Sequence, residues 1–403
     1  MALPPSSLSD RPVIRLKPNA DARRLRHGAP WVYGNELVLD RRTKKLPAGS
    51  LAVLEDAGRA PIGVVAVNMA SKISGRILTR DVDETVDAAW IDAKIAQALT
   101  LRERLYVAPF YRLVHAEGDG LPGVVIDRFG DVAVLQANAA WADVRKEDFA
   151  AALAARGMPN VILNGTGRAR SLEGLPELRT VIAGAAPEGP VPVPMSGATY
   201  MADLLEGQKT GLFYDQRPNH AFLQGFVSGG TVLDVFCHVG GFGLAALAAG
   251  AARVTGVDGS AAALALAEEG ARRMEAADRY ETRQGDAFEV LTELNEAGAQ
   301  YDHVVCDPPA FAPAKPALEA GLRAYEKTAR LTAPLVAPGG TLVLCSCSHA
   351  ATLDKFRSAS LRGVARAGRA AQVLHTGAAG PDHPQHPALA ETSYLKAVFL
   401  RLI

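Results

Sequence analysis

The stretch Thr231–Gly243, TVLDVFCHVGGFG, decides how the rest of the chain is read. It opens with an apolar run of strand length, carries an acid near its end in Asp234, and turns through Gly240, Gly241 and Gly243. Glycines at such a turn let a ligand approach the backbone closely. Gly241-Phe242-Gly243 with Ala246 fits G-x-G-x-x-A, a pattern that is weak alone, because similar loops serve several kinds of nucleoside and some only tighten a turn.

Working outward from that strand, the chain from about Ala198 alternates apolar strands with helices. RVTGVD leads into an Ala-rich helix over 261–276, followed by ETRQGD, YDHVVCD, a helix over 315–337 and GTLVLCS. Successive strand-then-helix units predict a parallel sheet covered on both faces, the doubly wound α/β class. Ligands in such sheets bind outside the carboxyl ends of the strands. Here those ends are acidic: Asp234, then Asp258, placed for ribose hydroxyls, Asp286, suited to an adenine amino group, and Asp307 in VVCDPPAF. The two prolines after Asp307 lack N–H donors and hold the chain rigid over the cleft. One strand-end Asp reads equally well as a solvated side chain. Four at successive strand ends describe a pocket for an adenosine-bearing cofactor, and Asp-Pro-Pro points away from dehydrogenases.

Upstream, residues to about Thr79 form short extended runs (PVIRL, SLAVLED, PIGVVAVN) broken by Gly and Pro, which predicts a small β-rich module. Ile91, Ile95, Leu99 and Leu105 sit near helical spacing, so a helix is expected over Trp90–Leu105. GVVIDRFGDVAVLQAN then gives two strands about Phe129-Gly130-Asp131, with a helical WADVRKEDFAAALAARG and a strand NVILN after it. This is a central α+β unit, and the Pro- and Gly-rich Gly184–Gly197 reads as a boundary. Three domains are expected, over 1–79, 80–189 and 190–403.

Lys+Arg and Asp+Glu balance at 43 each, so the whole molecule is no electrostatic sponge for nucleic acid. The excess is local: Arg11 to Lys45 holds ten Lys/Arg, among them Arg23, Arg24 and Arg26, against three acids. That could neutralise several phosphates, or be a solvated face. The N-terminus shows no basic start with an apolar h-region, and nowhere do about eighteen apolar residues run unbroken. A cytoplasmic protein with no membrane partner is the expectation.

The four cysteines are Cys237, Cys306, Cys345 and Cys347. They are not a disulfide framework, and LCSCSH, Leu344–His349, spaces its pair by one residue where structural zinc sites use two or more, so no metal is expected. Core filling or a nucleophile remains for this pair, and spacing alone does not separate Cys345 from Cys347.

The set EGDGLPGVVIDRFGD, GQKTGLFYDQRPN, DVFCHVGGFG, CDPPAF, CSCSH and the terminal YLKAVFLR resembles the ribosomal RNA large subunit methyltransferase I family. The similarity runs over nearly the whole chain. It implies a C-terminal Rossmann-like class I methyltransferase domain bound to S-adenosyl-L-methionine, a PUA-like RNA-binding domain at the N-terminus, and formation of 5-methylcytosine in large-subunit (23S) ribosomal RNA. Such enzymes add a thiolate to C6 of cytosine, because C5 alone is a poor nucleophile. The resemblance assigns that role to Cys347 in Ser346-Cys347-Ser348, places Asp307 at the cytosine edge, and adds Lys209, Phe213 and Arg217 to the cofactor residues Asp234, Gly240, Gly241, Asp258, Asp286 and Asp307. It also turns the Arg23, Arg24, Arg26 cluster into an RNA contact. Pro309-Ala310 stands where 5-methylcytosine enzymes of other families carry a second cysteine, so product release uses another group or water. The alternatives are methylation of an exocyclic base nitrogen, in which Cys347 is packing, a non-catalytic protein that binds RNA and cofactor, and a small-molecule methyltransferase. The oligomeric state is open, with a homodimer as one arrangement.

Overall fold

A computed structural model of the chain describes residues 11–207 and 210–403. The chain divides into two compact units, one of residues 1–188 with 382–389, the other of 189–381 with 390–403.

The first unit opens with β1 (Val13–Arg15), α1 (Ala22–Arg26), β2 (Trp31–Tyr33), β3 (Leu51–Glu55), β4 (Pro61–Val67) and β5 (Ile73–Thr79), which make a five-stranded sheet in the order β1-β3-β4-β5-β2. Next come α2 (Ala88–Leu105), β6 (Phe110–His115), β7 (Val124–Phe129), β8 (Val132–Ala137), α3 (Ala140–Val144), α4 (Lys146–Ala154), β9 (Asn160–Asn164), α5 (Arg168–Leu172) and β10 (Arg179–Ala183). Their strands form a second sheet, β10-β9-β8-β7-β6. α2 starts two residues before the expected Trp90 because Asp87 caps it, accepting from the Trp90 N–H at 3.0 Å. One apolar core runs through both sheets, from Leu51 and Val64 to Trp141 and Leu163. Above it, the buried Glu173 accepts from Asn68 and Ser71 and pairs with Arg76, which also pairs with Glu117. Residues 382–389 pack here as well: the Arg102 guanidinium donates to the Asp382 carbonyl at 2.8 Å and the Arg112 N–H to the Asp382 carboxylate at 3.1 Å.

In the second unit, β11 (Val191–Met195) and β12 (Ala198–Ala202) form a hairpin. The boundary expected over 184–197 therefore contains a strand. Its prolines, Pro192 and Pro194, face outward on a two-stranded ribbon, where a missing N–H costs little, and the turn residues Ser196 and Gly197 both take positive φ, as a tight hairpin demands. The rest is α6 (Arg217–Gln224), β13 (Thr231–Val235), α7 (Gly241–Ala248), β14 (Arg253–Asp258), α8 (Ala261–Arg273), β15 (Tyr280–Gln284), α9 (Ala287–Glu296), β16 (Tyr301–Cys306), α10 (Leu318–Thr332), β17 (Val336–Ser346), α11 (Leu353–Arg366), β18 (Ala371–Gly377) and β19 (Lys396–Leu402). The expected helix over 315–337 is α10 between two 3-10 turns, and it ends where Val336 begins β17.

The seven-stranded sheet runs β15-β14-β13-β16-β17-β19-β18. Five strands are parallel, as expected, but the sheet is mixed: β19 lies antiparallel to β17, and β18 antiparallel to β19. β19 is buried and apolar like its parallel neighbours, so the pattern of residues does not reveal its direction. The parallel register sets Val235, Val257, Cys306 and Leu344 in one row across β13, β14, β16 and β17. The residues just beyond that row form the site.

Candidate functional site

Beyond the row, the strands open into a cavity of about 420 Å³, lined by Phe213, Asp215, Gln216, His220, Asp234, His238, Gly241, Asp258, Asp307 and Cys347 among others. It lies where the chain order reverses, β14 to one side of β13 and β16 to the other, the place where an open α/β sheet offers a crevice.

The turn from β13 to α7 is tightly wound. Phe236 and His238 take positive φ without being glycine, and Gly240 follows at φ 86°. A side chain on Gly240 would meet Leu244, Tyr280 and Ala267 at 2.9–3.1 Å, so only glycine lets the loop close over α7. Two carboxylates hold this loop. Asp234 Oδ2 accepts from the Gly243 N–H at 2.7 Å, and Asp258 accepts from the His238 and Ser260 N–H groups at 2.9 Å each. Asp234 is fully buried, and its other oxygen, Oδ1, has no hydrogen-bond partner. Burial pushes its carboxyl up to about 7, against the Gly243 hydrogen bond and with help from Asp307 and Asp258. A buried acid with an unpartnered oxygen, facing a cavity that three more acids line, suits a ligand that carries positive charge.

Across the cavity, Asp307 follows β16 directly, its N–H donating to the Val235 carbonyl at 3.2 Å. Its carboxylate accepts from Gln216 Nε2 at 2.8 Å, and Gln216 in turn accepts from Asn219 at 2.6 Å. Gly377 makes room for this relay, since a side chain there would run into the Asn219 amide. His220, fully buried, lines the same wall with Nδ1 unpartnered, and burial lowers it to about 3, so it is neutral.

The two cysteines of β17 differ in surroundings. Cys345 is 1% exposed and packed in the sheet, and burial raises its thiol well above the ordinary value. Cys347, one residue past the strand, lines the cavity with Asp307. Its serine neighbours point the other way, into the core, where both meet one hydroxyl: Ser346 Oγ and Ser348 Oγ each lie 2.8 Å from Tyr325 Oη. Ser348 Oγ also accepts from the Ala312 N–H at 2.9 Å, which ties the cysteine loop to the loop after Asp307. The Ser-Cys-Ser pattern thus has a mechanical reading: two buried hydroxyls pin the turn and leave the sulfur between them facing out.

Of the residues singled out from the sequence, Phe213, Asp234, Gly241, Asp258, Asp307 and Cys347 share the cavity. Gly240 shapes its floor as the first residue before α7. Arg217 opens α6 beside the Tyr214 ring and is not part of the lining. Asp286 is exposed and caps α9, accepting from the Phe288 and Glu289 N–H groups, and also stands outside the lining. Lys209 lies outside the described residues. In the first unit, Arg24 pairs with Glu36 at 3.0 Å and Arg26 with Asp56 at 2.7 Å, while Arg23 is exposed on α1. Sequence reading missed Gln216, His220 and Tyr325. Gln216 had a signal, since it sits between Phe213 and Arg217 in a stretch already singled out; Tyr325 had none beyond an apolar helix face.

The family model for S-adenosylmethionine-dependent methyltransferases matches residues 187–401, and the model for PUA-like domains matches 14–80. Ribosomal RNA large subunit methyltransferase I of Shewanella amazonensis is 35% identical over 96% of this chain and 99% of its own length. A ribosomal RNA large subunit methyltransferase of Deinococcus radiodurans is 35% identical over 98% of each. In fold, the chain is similar to a candidate SAM-dependent methyltransferase from Streptococcus mutans (TM-score 0.79, 18% identity, 97% and 100% coverage) and to a candidate methyltransferase solved in complex with SAH (TM-score 0.81, 18% identity, 97% and 99% coverage). The cofactor is S-adenosylmethionine, whose positive charge fits the vacant Asp234 oxygen and the acidic wall. With two curated relatives at this identity over almost their full length, and with both family models in the expected places, the chain belongs to the ribosomal RNA large subunit methyltransferase I family of S-adenosylmethionine-dependent methyltransferases.

Proposed function

We propose that the protein methylates C5 of a cytosine in large-subunit (23S) ribosomal RNA, with Cys347 as covalent nucleophile. The observation that carries this reading is the meeting of Cys347 and Asp307 in one cavity whose far wall is the cofactor loop. S-adenosylmethionine, when bound, supplies an electrophilic methyl group. The protein's own part is to make C5 able to take it. Cys347 adds to C6, which moves electron density to C5; after methylation, loss of the C5 proton lets the thiolate leave and the ring regain its aromaticity. Asp307, oriented by the Gln216–Asn219 relay, bonds the N3/N4 edge of the base and stabilises the adduct as it gains a proton. Cys345 plays no part, because burial keeps it a neutral thiol inside the sheet.

Asp234, Asp258, Gly240 and Gly241 hold the cofactor, with Phe213 beside it. Asp286 and Arg217, which stand outside the cavity lining, complete the proposed cofactor residues. The domain reading is a PUA-like RNA-binding module over 1–79, a central α+β domain over 80–189 and the methyltransferase domain over 190–403, with Arg23 as the most available phosphate contact of its cluster. Incubating the purified protein with unmodified large-subunit RNA and methyl-labelled S-adenosylmethionine, then digesting to nucleosides, tests the reading. Label in 5-methylcytidine is expected. Label in an N-methylated nucleoside instead would move the chemistry to an exocyclic nitrogen and return Cys347 to packing.

A further inference from the structure

We propose that Lys396 is a positioning residue for Cys347, its side chain clamping the turn that follows the cysteine and setting a positive charge beside the sulfur. The inference rests on the reading of Cys347 as the nucleophile and adds the group that prepares it.

Lys396 opens β19, paired with Ser346 at the end of β17, and is only 7% exposed. A buried lysine is costly unless its ammonium is paired or fully hydrogen-bonded. Its Nζ donates to the Ser348 carbonyl at 2.7 Å and to the Ala351 carbonyl at 2.8 Å. Those two carbonyls bracket the turn that leaves Cys347, which the Ala351 N–H closes onto Ser348 at 3.2 Å. With the Ser348 hydroxyl held by Tyr325 and the Ala312 N–H, the residue after the sulfur is fixed through side chain and main chain alike. Among the described residues no carboxylate lies within ion-pair distance of Nζ. Burial lowers the ammonium to about 8, and the charge that opposes this is that of Cys347. Around the cavity, the other titratable side chains among the described residues are Asp215, Asp234, Cys237, Asp258, Asp307, His220 and His238, with Tyr325 behind the turn. The acids among them disfavour a thiolate, whereas the Lys396 ammonium favours one.

The test is the rate at which iodoacetamide alkylates Cys347, followed by mass spectrometry of the full-length protein in the absence of RNA, from pH 6 to 10. For Lys396→Met at neutral pH, we expect a rate about tenfold below the wild type, the effect of losing one adjacent cation, with Lys396→Arg within about threefold. Equal rates in the wild type and Lys396→Met would overturn the inference. Should Lys396→Met not fold, the wild-type profile alone decides: half-maximal alkylation below the value of about 8.5 for a free thiol is expected, and one at or above it overturns the inference. Because alkylation requires neither RNA nor methyl transfer, the two readings fail separately. A protein that forms no RNA adduct but keeps the Lys396 dependence loses the proposed chemistry and retains the clamp.

Discussion

Two regions of this molecule concentrate charge of one sign, and the fold treats them differently. In the first unit, basic residues crowd the sequence from Arg11 to Lys45, yet Arg15, Arg24 and Arg26 lie against Glu55, Glu36 and Asp56. In the second unit, Asp234 and Asp258 stand 24 positions apart, and the register of a parallel sheet brings them to one cavity, held by backbone N–H groups, with no cation within ion-pair distance among the described residues. A window of like charge becomes a site only where the fold leaves the charge unneutralised. Among the described residues, three of the ten basic side chains of the segment are ion-paired, whereas Asp234 and Asp258 meet only backbone N–H groups.

If that contrast is correct, changes at the cavity should be costly and changes on the basic segment mild. The largest effect short of the cysteine itself belongs to Asp307. Asp307→Asn keeps the shape and the contact to Gln216 but removes the charge that stabilises a protonated adduct, so kcat should fall by about 10²–10³-fold with little change in cofactor affinity. A drop confined to KM would assign Asp307 to substrate binding alone.

Asp258→Ala should weaken S-adenosylmethionine binding by about 1–3 kcal/mol in calorimetry, the scale for removing a hydrogen-bonding carboxylate from a partly buried site. Unchanged affinity would break the claim that the strand-end acids form the cofactor wall. Asp234 adds a pH dependence with a definite sign. Its folded pKa of about 7 lies above the ordinary 3.8, so the ligand-free protein holds this proton more tightly when folded. The stability it contributes is therefore present below about pH 4 and lost as pH rises to about 7. Binding of a cation needs the ionised form, and affinity should fall as pH drops below about 7, by up to about tenfold per unit, a slope that Asp234→Asn should abolish.

The smallest effect is expected on α1. Arg23→Gln should lower the salt slope of RNA binding by about one, and Arg24→Gln and Arg26→Gln by less, since their partners already neutralise them. Equal reductions in slope at all three would mean that RNA outcompetes the acids and that the segment is as open as the cavity.

Much of this was legible in the sequence for a physical reason: strands of a parallel sheet end at the same level, so Asp234, Asp258, Asp307 and the Ser-Cys-Ser stretch could be placed together from strand boundaries alone. What could not be read depends on packing between distant segments. Asp286 looks like its neighbours in sequence but spends its carboxylate on capping α9. Gln216 orients Asp307 from 91 residues away, and Tyr325 holds both serines from a helix whose apolar face reads as ordinary core. The two antiparallel strands were hidden for another reason. β18 is half exposed and lacks a clean period, and β19 is as apolar as a parallel strand, so neither reveals its direction.

The central claim is that Cys347, and not its buried neighbour two residues earlier, attacks the base. Large-subunit RNA carrying 5-fluorocytosine, which has no C5 proton to lose, should trap the adduct. The account predicts a covalent protein–RNA complex with the wild type and with Cys345→Ala, and none with Cys347→Ala, whose turnover on normal RNA should drop by about 10⁴-fold or more. A complex formed by Cys347→Ala, or an undiminished turnover in that variant, would contradict it.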